Sequence, residues 1–160
     1  MGVQTFLDIY SRPSLSWTEI ASLRERTSLP IVLKGVLHPD DARAAVDAGV
    51  DGIIVSNHGG RQIDGEISSL DALTDIAPVV DGRCKVLIDS GIYTGADVFK
   101  ALALGATRCA SVAAHVRVGD RRRDGARDVV ANIIAELDLT LGLAGVTSVD
   151  EVNTDALRRI

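Results

Sequence analysis

Apolar residues in this chain fall into two alternating kinds of run. Four short aliphatic or β-branched runs recur, at Ile31–Lys34, Gly52–Ser56, Lys85–Asp89 and Arg108–Ala113. The first three are apolar throughout rather than alternating, the pattern of strands buried on both faces of a parallel sheet. Stretches of helical character lie between them. Trp17–Arg26 follows Ser16 with Glu19 three positions on, the spacing of a capping box. Pro39–Ala48 opens with proline in its first turn, sets Asp40 and Asp41 near the positive end of the helix dipole, and stops at Gly49. Leu70–Val80 carries Pro78 near its end, and Ala96–Leu104 stops at Gly105. In Ala126–Leu141, apolar residues at 129, 130, 133, 134, 137 and 141 form a helical stripe. Strand and helix thus alternate four times, which predicts an α/β chain of consecutive βα units on a parallel sheet.

Composition narrows the function classes. The chain has 160 residues, 46% of them apolar, enough for a folded core and too apolar for general disorder. No apolar run reaches the roughly 18–20 residues of a membrane span, and the N-terminus lacks the pattern of a secretory signal. Cys84 and Cys109 make no disulfide framework and no metal-ligand spacing, so a reducing, cytoplasmic setting and no metal are expected. A formal charge of −5 argues against general nucleic-acid binding. The one dense charge run, Asp120–Asp124, reads as a solvated loop.

Candidate chemistry gathers where parallel α/β folds place it, at the C-terminal ends of strands. Those ends carry Lys34-Gly35, then Ser56-Asn57-His58-Gly59-Gly60-Arg61-Gln62, then Asp89-Ser90-Gly91. A histidine three residues before an arginine on a Gly-Gly loop sets a proton acceptor beside a carboxylate clamp, since Arg grips carboxylates with a planar fork. The glycines permit close approach to a flat ligand. Amides around Ser90 and Gly91, with a helix N-terminus near Ala96, would suit a phosphate. Plainer readings stand beside these: Lys34 carrying its ammonium to solvent, Asp89–Gly91 as only a turn, His58 as a surface loop residue. His38, just before Pro39, reads as helix-start chemistry.

Several of these runs carry a resemblance. Leu29–Gly35, Val55–Gln62, Asp89–Ile92 and Gly95–Ala106 resemble the FMN-dependent α-hydroxy acid dehydrogenases and oxidases, and Ser56–Gln62 is highly specific to that family. Tyr10–Trp17 and Ala135–Gly142 look most like its lactate 2-monooxygenase branch. The resemblance implies the C-terminal half of a TIM (β/α)8 barrel. Residues 1–160 would form a partial domain, with a lead-in helix within 1–28 and a C-terminal helix over 126–143. It implies His58 as the base for the α-hydroxyl proton, Arg61 as the substrate-carboxylate clamp, and Lys34 near flavin N1 and O2. Ser56 would contact the flavin, and Asp89, Ser90 and Gly91 would line its ribityl-phosphate end. The implied reaction is FMN-dependent oxidation of a small L-2-hydroxy acid, lactate or a close analogue, to the 2-oxo acid.

Three departures temper that expectation. A whole barrel takes about 250 residues, so the alternative is an inactive remnant, or a half-barrel that self-associates or needs a complementary half to bind FMN. Tyr93 stands where the family has an arginine after Asp-Ser-Gly-Ile. Past Ser111 the family's Gly-Arg-Pro is missing: the chain runs on through His115 to Arg121-Arg-Arg123. One permitted set of codons for His115–Asp124, read one nucleotide forward, spells Met-Tyr-Gly-Leu-Ala-Ile-Ala-Gly-Glu-Thr, the kind of segment the family carries there. Sequencing the gene decides whether the frame is disturbed.

Overall fold

Local signals start and stop the helices. In the computed structural model, which describes residue 5, residues 15–111 and residues 124–158, helix α1 (Trp17–Arg24) begins at Ser16. The Glu19 carboxylate accepts from both the N–H and the hydroxyl of Ser16, the expected capping box. Helix α2 (Pro39–Asp47) begins at His38, whose Nδ1 accepts the Asp40 N–H at 3.1 Å, so His38 does the helix-start work its position predicts. Helix α3 (Ser69–Val80) is capped by Ser68, and α4 (Gly95–Ala103) by a Thr94–Asp97 capping box. Helix α5 spans Asp124–Ala144.

Strands β1 (Val32–Val36), β2 (Gly52–Val55), β3 (Lys85–Ile88) and β4 (Arg108–Cys109) pair in sequence order, all parallel. The βα repeat read from the sequence is therefore present, as four βα units of a parallel sheet. Ile53 and Val55 of β2 and Val86 and Ile88 of β3 point to one face. There they join Ala42, Ala45, Leu73, Ile76 and Val80 of α2 and α3 in a single buried cluster. Burying side chains of this size supplies about 1.5–3 kcal/mol each, the main drive for docking these helices on the sheet.

Two expectations need correction. The strands are not buried on both faces. Lys34, Ile54, Leu87 and Arg108 align across the sheet on the side away from that cluster. Lys34 and Arg108 are exposed there, and Ile54 and Leu87 are only half-buried. The run of apolar residues offers two packing faces, and among the described residues helices cover one. The fourth strand is also shorter than Arg108–Ala113: pairing covers Arg108–Cys109, with one more bond from the Ala110 N–H to the Ile88 carbonyl. Residues 112–123, where the Gly-Arg-Pro comparison and the reading-frame question fall, lie outside the described residues.

Helix α5 runs against α4 at very close range. A Cβ on Gly95 would collide with the backbone at Glu136 and Leu137, so only glycine fits that crossing. Val129, Leu137 and Leu141 of the apolar stripe are half-buried, while Val130 and Ile134 remain exposed. No helix among the described residues is long and apolar enough to cross a membrane.

Candidate active site

Because all four strands run the same way, the loops after β1, β2 and β3 emerge at one end of the sheet. Lys34 reaches across that end. Its ammonium donates to Ser56 Oγ at 2.7 Å and pairs with Asp89 Oδ2 at 2.9 Å. Ser56, wholly buried just past β2, also accepts the His58 N–H at 3.1 Å. One hydroxyl thus uses both acceptor positions to join Lys34 to the His58 loop, and Lys34 carries the link on to Asp89 at the third strand end.

Asp89 is the buried partner in this network. Burial pushes its carboxyl up, but hydrogen bonds from Ser56, Lys34 and Ser90, with the charge of Lys34, outweigh that and hold it below the ordinary aspartate value. Asp89 is therefore a carboxylate at neutral pH, and the plainer reading of Lys34 as a solvent-directed surface lysine does not describe it. Ser90 completes the cluster: its hydroxyl donates to Asp89 Oδ1 at 3.0 Å and accepts the Gly59 N–H at 3.1 Å.

The loop that carries His58 and Arg61 is tied at its base. The Asn57 N–H donates to Ser69 Oγ at 3.1 Å, its side-chain amide donates to the Ile67 carbonyl, and its Oδ1 accepts the Gly59 N–H at 3.0 Å. His58–Gly60 then form one 3₁₀ turn with left-handed backbone throughout, φ +55°, +68° and +71°. Glycine takes that conformation freely, whereas histidine adopts it at a cost. The His58 ring lies over Gly35, half-buried, while Arg61 is exposed and pairs with no carboxylate among the described residues. The geometry thus brings together Lys34, Ser56, His58, Asp89 and Ser90, with Arg61 three residues along the same loop.

The far end of the site is different. At the start of α4, acidic side chains take some of the amides that a phosphate would use. Gly95 N–H donates to Glu136 Oε2 at 2.9 Å, and the Tyr93 and Thr94 N–H groups donate to Asp97 Oδ2 at 3.1 and 3.0 Å. Tyr93 projects into solvent, 66% exposed. The donor set therefore fits the ring end of FMN, where a cation and hydrogen-bonding groups flank a half-apolar sheet face. Toward the phosphate end, the described residues offer the left-handed Ser90–Gly91 turn and no arginine from the Tyr93 position.

Two positioning features were missed in the sequence. Ser69, just before the expected Leu70–Val80 helix, anchors the His58 loop, and nothing in its local pattern marks that role. Gly35 is visible as a glycine directly after a charged strand-end residue, which is a usable signal for close approach.

Comparison with known proteins agrees with the motifs. The sequence model of FMN-dependent dehydrogenases matches residues 1–159. An L-lactate oxidase of Lysinibacillus sphaericus is 47% identical over 156 residues, covering 97% of this chain and 40% of that protein. An FMN-dependent alpha-hydroxy acid dehydrogenase of Penicillium citrinum is 46% identical, over 91% of this chain and 36% of its own length. A crystal structure of mandelate oxidase superposes with a TM-score of 0.82 at 42% identity, over 86% of this chain and 42% of the other. The chain thus spans about two fifths of the length of these relatives, and its four βα units correspond to part of their TIM-barrel fold. By sequence and by fold, the chain belongs to the FMN-dependent dehydrogenase family.

Proposed function

We propose that this chain carries the base and substrate-clamp half of an FMN-dependent 2-hydroxy-acid oxidoreductase acting on lactate or a close L-2-hydroxy acid. The observation that carries this reading is the Lys34–Ser56–Asp89 network at three successive strand ends, with His58 hydrogen-bonded into it through its backbone. His58 takes the proton of the substrate α-hydroxyl. Arg61, paired with no carboxylate among the described residues and three residues on, grips the substrate carboxylate through its two-pronged fork. FMN, when bound, supplies the electron acceptor. Lys34 would hold its N1 and O2 edge, favouring negative charge on the ring, with Ser56 beside it and Asp89, Ser90 and Gly91 toward the ribityl-phosphate end. Proton removal by His58 and carboxylate binding by Arg61 are separable, so their variants should fail differently.

The likeness of Tyr10–Trp17 and Ala135–Gly142 to the lactate 2-monooxygenase branch favours lactate, and the reducing setting inferred from two unpaired cysteines favours the cytoplasm. A second reading has its own support. Among the described residues, no layer covers the sheet face carrying Ile54 and Leu87, and β1 and β4 present unpaired edges. A complementary half, from a second copy or another chain, would complete the site before FMN is held firmly.

The test is anaerobic flavin reduction. With excess FMN and L-lactate, the wild-type chain should bleach the oxidised-flavin band. His58→Ala should abolish bleaching, and Arg61→Lys should mainly raise the lactate concentration required. Unchanged reduction in His58→Ala removes His58 from the base role.

A further inference from the structure

The His58 ring is held from two sides by neighbouring strand ends. On the β1 side, the pairing with β2 slips one residue between Lys34 and Val36, so Gly35 bulges with φ +96°. A Cβ at Gly35 would lie 2.7 Å from His58 Nε2 and 3.6 Å from Cδ2 and Cε1. The imidazole therefore fills the volume a side chain at 35 would need. The His58 backbone from which the ring projects is itself left-handed, with its N–H bonded to Ser56.

On the β3 side stands Ser90, left-handed at φ +69°, where glycine would sit without strain. Its hydroxyl accepts from the Gly59 N–H and donates to Asp89 Oδ1. Gly59 directly follows His58, and Asp89 holds Lys34. The serine thus ties the histidine loop to the same carboxylate that fixes the lysine.

We propose that Gly35 and Ser90 are positioning residues for His58. Gly35 leaves the space in which the imidazole rests, and Ser90 tethers its loop to Asp89, so that ring and Lys34 ammonium keep a fixed relation. This deepens the reading of His58 as the base and rests on it for its catalytic meaning. The geometry itself is testable without flavin. Ser90 gives two effects of opposite sign. Ser90→Gly relieves the backbone but removes the tether, whereas Ser90→Ala removes the tether and keeps the strain.

The experiment is NMR on the full 160-residue chain, with the His58 ring assigned by its loss in His58→Gln. The wild type should show contacts between the Gly35 α protons and the His58 ring protons. Gly35→Ala should move the His58 ring resonances and leave those of His38, which caps α2, in place. In Ser90→Ala, the Gly59 amide keeps only its bond to Asn57 Oδ1 and should exchange about threefold faster, the effect of losing one of two acceptors, while the amides of β2 keep their rates. Ser90→Gly should show the same fast Gly59 exchange despite a higher melting temperature than Ser90→Ala, which a purely structural role would not produce. Unmoved His58 resonances in folded Gly35→Ala, or unchanged Gly59 exchange in Ser90→Ala, overturn the proposal. If Gly35→Ala does not fold, the wild-type ring contacts decide: their absence overturns it and their presence supports it. Positive results in a protein that cannot reduce flavin would leave this inference standing and remove the proposed function.

Discussion

On one face of the sheet, Ile53, Val55, Val86 and Ile88 are buried beneath α2 and α3. On the other, Lys34, Ile54, Leu87 and Arg108 form a row that is exposed at both ends and half-buried in the middle. The same strands supply both faces, so the difference lies in what packs against them. The first face accounts for the fold, and the second carries the candidate chemistry. Ser56 and Asp89 sit where the two meet: both are buried like core residues, and both hydrogen-bond the exposed face through Lys34.

That comparison can be broken by substitutions on either side. Leu73→Ala on the covered face should cost the most, about 2–5 kcal/mol, as expected for a fully buried leucine leaving a cavity. Its urea midpoint should fall far below that of Leu87→Ala, expected to lose under about 1.5 kcal/mol because the open face already admits water. Equal losses would mean that the second face is covered in solution, as by self-association.

Asp89→Asn should rank next, at about 1–3 kcal/mol at neutral pH, discounted because Lys34 is partly exposed. The pH dependence follows from the depressed Asp89 carboxyl. Its contribution is complete above the ordinary aspartate value of about 3.9 and is lost as pH falls through the lower folded-state value. Urea midpoints measured from pH 6 to pH 2.5 should therefore drop more steeply for the wild type than for Asp89→Asn. Parallel curves would show that the Lys34–Asp89 pair does not stabilise the strand ends.

A smaller effect is expected at the far end of the site. Tyr93→Arg should tighten FMN binding by about threefold to tenfold, the worth of one solvent-exposed charged contact to phosphate. Fluorescence titration reads this directly, and no change would place the phosphate away from residue 93. Cys109 should be the least responsive group. Burial pushes its thiol up to about 11, so it should react sluggishly with alkylating reagents at neutral pH.

Much of the fold was legible because its signals are local. The Ser16–Glu19 box, the proline at 39 and the stops at Gly49 and Gly105 depend on a few adjacent residues, and the structure uses each of them. The reach of β4 was overestimated because apolar composition through Ala113 does not require pairing. The covering of both faces was misjudged because an apolar run records what a strand tolerates, not which neighbours are present. Within the site, Lys34, His58 and Arg61 stood out as charged or titratable residues at strand ends. The links joining them did not. Ser69 meets Asn57 across a loop, Ser90 meets Gly59 across 31 positions, and Glu136 reaches Gly95 across 41. Such contacts depend on how distant segments are brought together, which residue spacing does not encode. The same limit applies at the start of α4: a helix N-terminus is readable, but the carboxylates that take the Tyr93, Thr94 and Gly95 amides are not.

We propose that three linked strand ends present His58 as the base of a flavin-dependent 2-hydroxy-acid oxidation. The most direct measurement of this role is anaerobic stopped-flow absorbance of the FMN-saturated chain mixed with L-lactate, wild type against His58→Ala. The account predicts flavin bleaching in the wild type and none in His58→Ala, with FMN affinity the same in both. Bleaching at the wild-type rate in His58→Ala, or bound FMN that lactate never reduces in the wild type, would contradict it.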